Sequence, residues 1–293
     1  MPQTVEIAPP KKFNFEFLFL SLLLLALYVQ VIIELVSDWW NDSNYSHGFL
    51  VPLVTLFLIW RKRDAIKKAD KEKSYLKTQN SCWGFIIFLA GLFLYIVGTA
   101  GAEYFSARLS LVFVIFGLTL YFSGKNVLKE VWFAIAFLIF MIPIPYVIYY
   151  ALAFPMQLLS TKVSVFLLHI IGLPAVRQGN IIYLSNNYAL EVAEACSGLR
   201  SLVSLLALGA LLAYLTQKNK IKQITVFLST IPIAIAANFF RIFVTAVGAY
   251  AISTKLAEDF LHELSGLFVF IISTFLLLLV SFFVSLLGRR KAV

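Results

Sequence analysis

Long apolar stretches separated by short polar ones dominate the pattern of this chain. About 20 such residues cross a bilayer core of about 30 Å. Runs near that length occur at Phe17 to Val36, Gly48 to Trp60, Trp83 to Ala100, Ala107 to Phe122, Val131 to Tyr150, Leu199 to Thr216, Ile224 to Ile252 and Leu264 to Leu287. The pattern predicts an all-α, polytopic membrane helix bundle with about eight transmembrane helices. The second run is short and is expected to begin near Tyr45, partly shielded by its neighbours. Ala151 to Gly172 is also apolar, but Pro155 interrupts it, Lys162 and His169 lie within it, and Gly172-Leu173-Pro174 ends it. It is expected to be an interfacial or re-entrant helix on the outer side. The first run begins soon after Lys12 and no small-residue cleavage site follows it, so it reads as a membrane helix rather than a removable signal.

The composition fits lipid as the solvent: 61% of residues are hydrophobic and 13% charged, against about half and a quarter in soluble domains. The net charge of +9 changes the picture only through its placement. Eighteen of the 24 Lys and Arg residues fall where alternating spans put the cytoplasm: two before the first run, eight in Arg61 to Lys77, Lys125 and Lys129, three in Lys218 to Lys222, and three in Arg289 to Lys291. That asymmetry sets both termini inside and makes the basic surplus topological, so no nucleic-acid partner is expected. The chain has no linker, soluble insert or repeat, and residues 1–293 read as a single membrane domain. Arg61 to Asn80 is a charged connector. The two cysteines, Cys82 at the inner edge and Cys196 in an outer polar loop, are too few for a disulfide framework.

The longest outer polar segment, Pro174 to Ser201, carries the candidate chemistry. Ile181 to Leu184 suits a strand, Ser185-Asn186-Asn187 a turn, and Tyr188, Leu190 and Val192 alternate as in a second strand, which predicts a small outer β-hairpin. A helical start at Ala189 to Ala195 is the rival reading. Ser197-Gly198 can cap a helix beginning near Leu199, placing Cys196 at a helix N-terminus, where exposed amides and the dipole favour a thiolate. A small buried hydrophobe is the other reading of such a cysteine. Arg241 sits inside an apolar run, where a charge is costly and should face a cavity or partner. It lies 19 residues, about 28 Å of helix, beyond Lys222, near the outer boundary; snorkelling to headgroups is the alternative. His262 precedes the last run at the same boundary. A thiol, a guanidinium and an imidazole together supply a nucleophile, an oxyanion-stabilising cation and a proton-transfer group for acyl transfer. His47, His169 and His262 lack the close spacing of metal ligands, so no metal or other cofactor is expected.

The segments EVAEACSGLRSL around Cys196 and ANFFR ending at Arg241, together with His262 before the last run and YSHGFLVPLVTLFLIW from Tyr45 to Trp60, resemble the exosortase/archaeosortase family. The resemblance covers most of the chain. It implies a cysteine peptidase and transpeptidase, sortase-like in its acyl transfer, that cleaves a C-terminal sorting signal and transfers the new carboxyl end to a surface acceptor. Such a PEP-CTERM-like signal comprises a short motif, a transmembrane helix and a basic tail. Carried over, Cys196 is the nucleophile, Arg241 the oxyanion or substrate-positioning cation and His262 the proton-transfer group. Asn238, three residues before Arg241, could orient it. Glu194, Arg200 and His47 are further supporting candidates, with solvation of the hairpin and a structural role as the plainer readings of Glu194 and His47. The extra C-terminal domain of some members is not expected here, since little sequence follows the last run. The expected location is a bacterial inner membrane, with the site facing the periplasm. The rival functions are a small transporter using Arg241 for an anion, and an envelope-polysaccharide assembly factor without cysteine chemistry.

Overall fold

The computed structural model describes residues 15–75, 81–185, 188–192, 198–251 and 260–287. Ten α-helices run in the order α1 Phe15–Asn41, α2 Leu50–Arg61, α3 Arg63–Tyr75, α4 Cys82–Ala100, α5 Tyr104–Leu118, α6 Gly124–Phe137, α7 Tyr146–Ile170, α8 Leu199–Thr216, α9 Lys220–Ala251 and α10 Phe260–Leu286 among these residues. Among the described residues, seven apolar segments are long enough to cross a membrane, and Ser46–Arg61 is a shorter eighth. The protein is therefore a polytopic helical membrane protein, in agreement with the hydropathy pattern.

The expected break between the fourth and fifth runs is present, whereas the expected end of the fifth is not. Residues Tyr104–Met141 form one apolar stretch of 38 residues, but the helix widens to a π-turn at Thr119–Ser123 and breaks at Gly124, whose φ of +82° reverses the chain into α6. The run expected to end at Tyr150 instead ends at Met141. Pro143 and Pro145 occupy the gap, where a proline's missing N–H and ring clash prevent continuation of a helix. The next helix, α7, then absorbs Tyr146 to Tyr150 together with the expected interfacial segment, and carries Pro155 inside it.

The bundle has two chemically distinct ends. At the basic end, Lys62 of the α2–α3 junction pairs with Glu130 of α6 at 2.8 Å, Lys222 of α9 donates to the Ser285 carbonyl of α10 at 3.3 Å, and Gln217 donates to the Ser281 carbonyl at 2.9 Å. At the opposite end, Arg108 of α5 pairs with Asp38 of α1 at 2.7 Å, and the Trp39 indole donates to the Met141 carbonyl at 2.8 Å. Between them, Tyr28, Val31 and Leu35 of α1 join Val112, Val114, Val131 and Ile135 in the main core. α4 and α5 approach closely through Gly91 and Gly98, where an added Cβ would lie 2.8 Å from Val114 and 2.6 Å from Ala107. Small residues serve helix pairing in lipid because close backbone approach replaces the missing hydrophobic drive.

Although α7 is long and apolar enough to cross a membrane, its contacts keep it at the end away from the lysines. It begins with Tyr149 and Ala153 clustered with Leu199 and Leu202 of α8. Further along, Asn238 of α9 donates to Ser160, and the Ser164 hydroxyl donates to the Phe239 carbonyl. Val165 and Leu168 then pack with Ile242, Ala246 and Ala249. The helix thus advances in the same sense as the far half of α9 instead of returning toward Lys220, which lies about 27 Å of helix before Asn238. The segment after it consequently stays at the same end as Asp42 to Asn44.

That segment folds as a three-stranded antiparallel sheet, not a lone hairpin: β1 Ala175–Gln178, β2 Ile181–Leu184 and β3 Ala189–Glu191, in the order β1-β2-β3. Ile182 faces Leu190, and Arg177 faces Ile182. The two-residue turn Gly179-Asn180, with Gly179 at φ +60°, joins β1 to β2. Such a turn needs positive φ at its first central position. Ile182, Leu184 and Val192 bury one face of the sheet against α7 and the far half of α9.

Candidate active site

Four elements meet at the end of the bundle opposite the lysines. Arg241 and Asn238 lie three residues apart on α9 and are both buried, Arg241 at 7% exposure. A three-residue step keeps two side chains on one helix face. The surrounding α9 sequence, AIAANFFRIFV, supplies apolar packing on its other sides. A buried guanidinium in such surroundings is held only where polar groups or water meet it.

The partner of Asn238 on one side is Ser160 of α7, whose hydroxyl accepts from the Asn238 amide at 3.2 Å. On the other side lies Gly198, at the start of α8. An ideal Cβ there would sit 2.6 Å from Asn238 Cγ and 2.8 Å from its Nδ2. Gly198 has φ +83° and directly precedes the first helical residue, Leu199. Only glycine fits this position readily, on both counts: the left-handed backbone and the side chain pressed against its α-carbon. The expected helix start near Leu199 is thus observed. Cys196 itself, two residues earlier in the chain, lies outside the described residues, as does Glu194.

α10 supplies the fourth element. It runs antiparallel to α9, with Gly266 opposite Arg241, whose Nη1 would be 3.9 Å from a Cβ at that glycine, and with Ser285 opposite Lys222. Residue 262 stands one helical turn before Gly266 in the same helix, and positions four apart share a face. The His262 side chain lies outside the described residues.

The other sequence candidates act as braces. Arg200, in the first turn of α8, donates from Nε to Asn44 Oδ1 and from Nη2 to Ser43 Oγ, both at 2.7 Å. It ties the start of α8 to the turn after α1. His47 bridges two helices: Nε2 lies 3.1 Å from the Phe140 carbonyl oxygen and Nδ1 lies 3.2 Å from Ser204 Oγ. A carbonyl can only accept, so Nε2 carries the hydrogen and Nδ1 receives the serine hydroxyl. With both ring nitrogens engaged, His47 is a strut beneath the start of α8. His169 likewise bonds the Ala175 carbonyl at 2.7 Å, joining the end of α7 to β1. Cys82 is exposed at the opposite, basic end of the bundle.

Sequence reasoning brought Arg241 and Asn238 to one face but missed Ser160 and Gly198 as the groups that clamp Asn238. The serine is one of a buried polar stripe on α7 with Gln157, Thr161 and Ser164. Polar residues recurring at helical spacing in an otherwise apolar segment were the available signal. Nothing local announced the contact of Gly198 with a residue forty positions away.

The family model for transmembrane exosortases matches residues 39–279, a span that contains Cys196, Arg241, His262, Asn238, Arg200 and His47. No curated protein and no solved structure matches the chain.

Proposed function

The chain belongs to the transmembrane exosortase family, and from that premise we propose that it is a cysteine transpeptidase that processes membrane-anchored precursor proteins. The observation that carries the proposal is the convergence on buried Arg241. Asn238, on its own helix, presses against Gly198, two residues after Cys196, and Gly266 of α10, one turn after His262, lies beside its guanidinium. Two Cα steps, about 7.6 Å at most, separate Cys196 from Gly198.

In the proposed reaction, the Cys196 thiolate adds to the carbonyl of the scissile peptide. The helix start at Leu199 and the buried cation both favour the thiolate. Negative charge then grows on the former carbonyl oxygen, and the planar guanidinium of the buried Arg241 stabilises it. Collapse breaks the C–N bond, and His262 protonates the departing amine. A thioester remains on Cys196. Now neutral, His262 takes a proton from an acceptor nucleophile, or from water, as that nucleophile attacks the thioester; the C–S bond breaks, and the Cys196 thiolate and protonated His262 are restored. Asn238 positions the start of α8 against α9, while Arg200 and His47 brace α8 from the other side.

A substrate with a short motif, a transmembrane helix and a basic tail suits this arrangement. Its helix can approach through the bilayer with the tail on the lysine-rich side, leaving the motif at the level of Gly198. The positive-inside rule puts that level outside the membrane, facing the periplasm if the membrane is a bacterial inner one. The test is co-expression of such a precursor with wild-type protein or with Cys196→Ala, followed by immunoblotting for precursor and product. Wild type is expected to convert the precursor and Cys196→Ala to leave it full length at equal enzyme abundance. Equal conversion by both would favour an anion transporter built on Arg241, or an assembly factor, over an enzyme.

A further inference from the structure

The three-stranded sheet has two edges, and they are treated differently. At the β1 edge, α7 lies alongside, and its His169 Nε2 takes the Ala175 carbonyl at 2.7 Å; Arg177 also reaches back to the Leu158 carbonyl of α7 at 3.3 Å. At the β3 edge no other element pairs among the described residues. The Leu184 amide donates to the Tyr188 carbonyl at 2.8 Å, and the Val192 amide to the Asn180 carbonyl at 2.9 Å. With Ile182 opposite Leu190, the backbone groups of residues 188, 190 and 192 point at β2. By the alternation of an antiparallel ladder, the N–H and C=O groups of Ala189 and Glu191 point the other way. Among the described residues neither finds a partner on that side, and both side chains are exposed.

An edge with unpaired backbone groups is a template for another extended chain. This one is short, offering two residues' worth of hydrogen bonds. It is anchored: Leu190 and Val192 pack on the cluster that includes Ile242, the residue after Arg241. It also leads, five residues after Glu191, to Cys196. We propose that β3 is a strand-addition site, on which the substrate segment beside the scissile bond pairs in extended form with Ala189 and Glu191. The occupant is an extended peptide, because only a backbone carries donors and acceptors at the strand repeat that these two residues present. The inference rests on the transpeptidase reading of the same site. It assigns substrate selection partly to main-chain pairing, with side-chain preference expected at alternate residues.

Two experiments with the full chain in detergent test it. Once the cleaved bond is known from the product mass, synthetic peptides spanning it are N-methylated at one amide at a time. Wild-type enzyme is expected to lose about fivefold or more in kcat/KM at every second position, the effect of losing one backbone hydrogen bond, with little loss between. Uniform tolerance, or losses without the two-residue period, would overturn the pairing. The second experiment is Ala189→Pro, which deletes an outward N–H while leaving the ladder to β2 intact, as proline does on an edge strand. Its KM for the unmodified peptide should rise about fivefold or more while the rate of Cys196 alkylation stays at the wild-type value. An unchanged KM would also defeat the inference. If the proline variant fails to fold, the methylation series decides alone because it leaves the enzyme unaltered. Failure of strand pairing with Cys196→Ala still inactive leaves the enzyme reading standing, whereas an active Cys196→Ala removes both.

Discussion

Gly198→Ala perturbs the contact on which the site's assembly depends. A left-handed φ of +83° costs an L-residue about 1–2 kcal/mol. The new methyl would also lie 2.6 Å from Asn238 Cγ and 2.9 Å from its Cβ, well inside ordinary contact. Asn238 cannot swing away cheaply, since it is buried and donates to Ser160; surrendering that bond costs about 1 kcal/mol. Overpacking of this kind costs about 1–3 kcal/mol, so with the backbone cost a total of about 2–5 kcal/mol is expected. The assay is thermal unfolding in detergent combined with precursor conversion. Conversion should fall more than stability, because the strain is released two residues from Cys196. A thermodynamic cycle with Asn238→Gly isolates the contact: removing all the crowding atoms should make the double variant at least about 1 kcal/mol more stable than the two single losses added together. Strict additivity would mean that Gly198 and Asn238 do not touch, and the assembly of α8 on α9 described above would be wrong.

Arg241→Lys should remain inserted yet lose about 10²-fold or more in processing, since a lysine keeps the charge without the planar fork that can hold an oxyanion; near-normal rates would reduce Arg241 to an anchor. Asp38→Asn should lower stability by roughly 1–3 kcal/mol in detergent unfolding, because it leaves Arg108 charged and buried, the loss being moderated by the 38% exposure of Asp38. An unchanged midpoint would show that the pair is solvated. His47→Ala should lower the unfolding midpoint by removing the bonds that join Ser204 of α8 to the Phe140 carbonyl just beyond α6, and a midpoint equal to wild type would contradict the strut. An impermeant thiol reagent applied to intact cells should spare Cys82, which stands at the lysine-rich end; its labelling would invert the assigned orientation.

The membrane helices were legible in the sequence because apolar length alone identifies a span, and Leu199–Thr216 coincides with its predicted bounds. The α7 boundary was not. Pro155 looked like a break, but α7 continues through it, and the stronger interruption was the pair Pro143 and Pro145, hidden within a hydrophobic run. β2 and β3 could be read from residue pattern, whereas β1 could not, since Ala175 to Gln178 alternates weakly; Asn186 and Asn187 of the expected turn lie outside the described residues. The signal for β1 was the Gly179-Asn180 pair, a two-residue hairpin turn overlooked beside the more conspicuous Ser185-Asn186-Asn187. For the candidate site, helix periodicity put Asn238 beside Arg241, and hydropathy put residue 262 at the same depth. The clamp of Ser160 and Gly198 on Asn238, the bracing by Arg200 and His47, and the β3 edge all depend on which elements become neighbours. Local pattern carries no such information.

Cys196 is expected to form an acyl bond to the substrate, and intact-mass measurement of the enzyme reads that bond directly. Purified protein is incubated with precursor, without acceptor, and quenched in acid. The expected result is an adduct whose mass equals the precursor minus its released C-terminal piece, located on the peptide containing Cys196 and removed by hydroxylamine as a thioester is. Product formation at the wild-type rate, with no adduct in wild type and none required in Cys196→Ala, would contradict it.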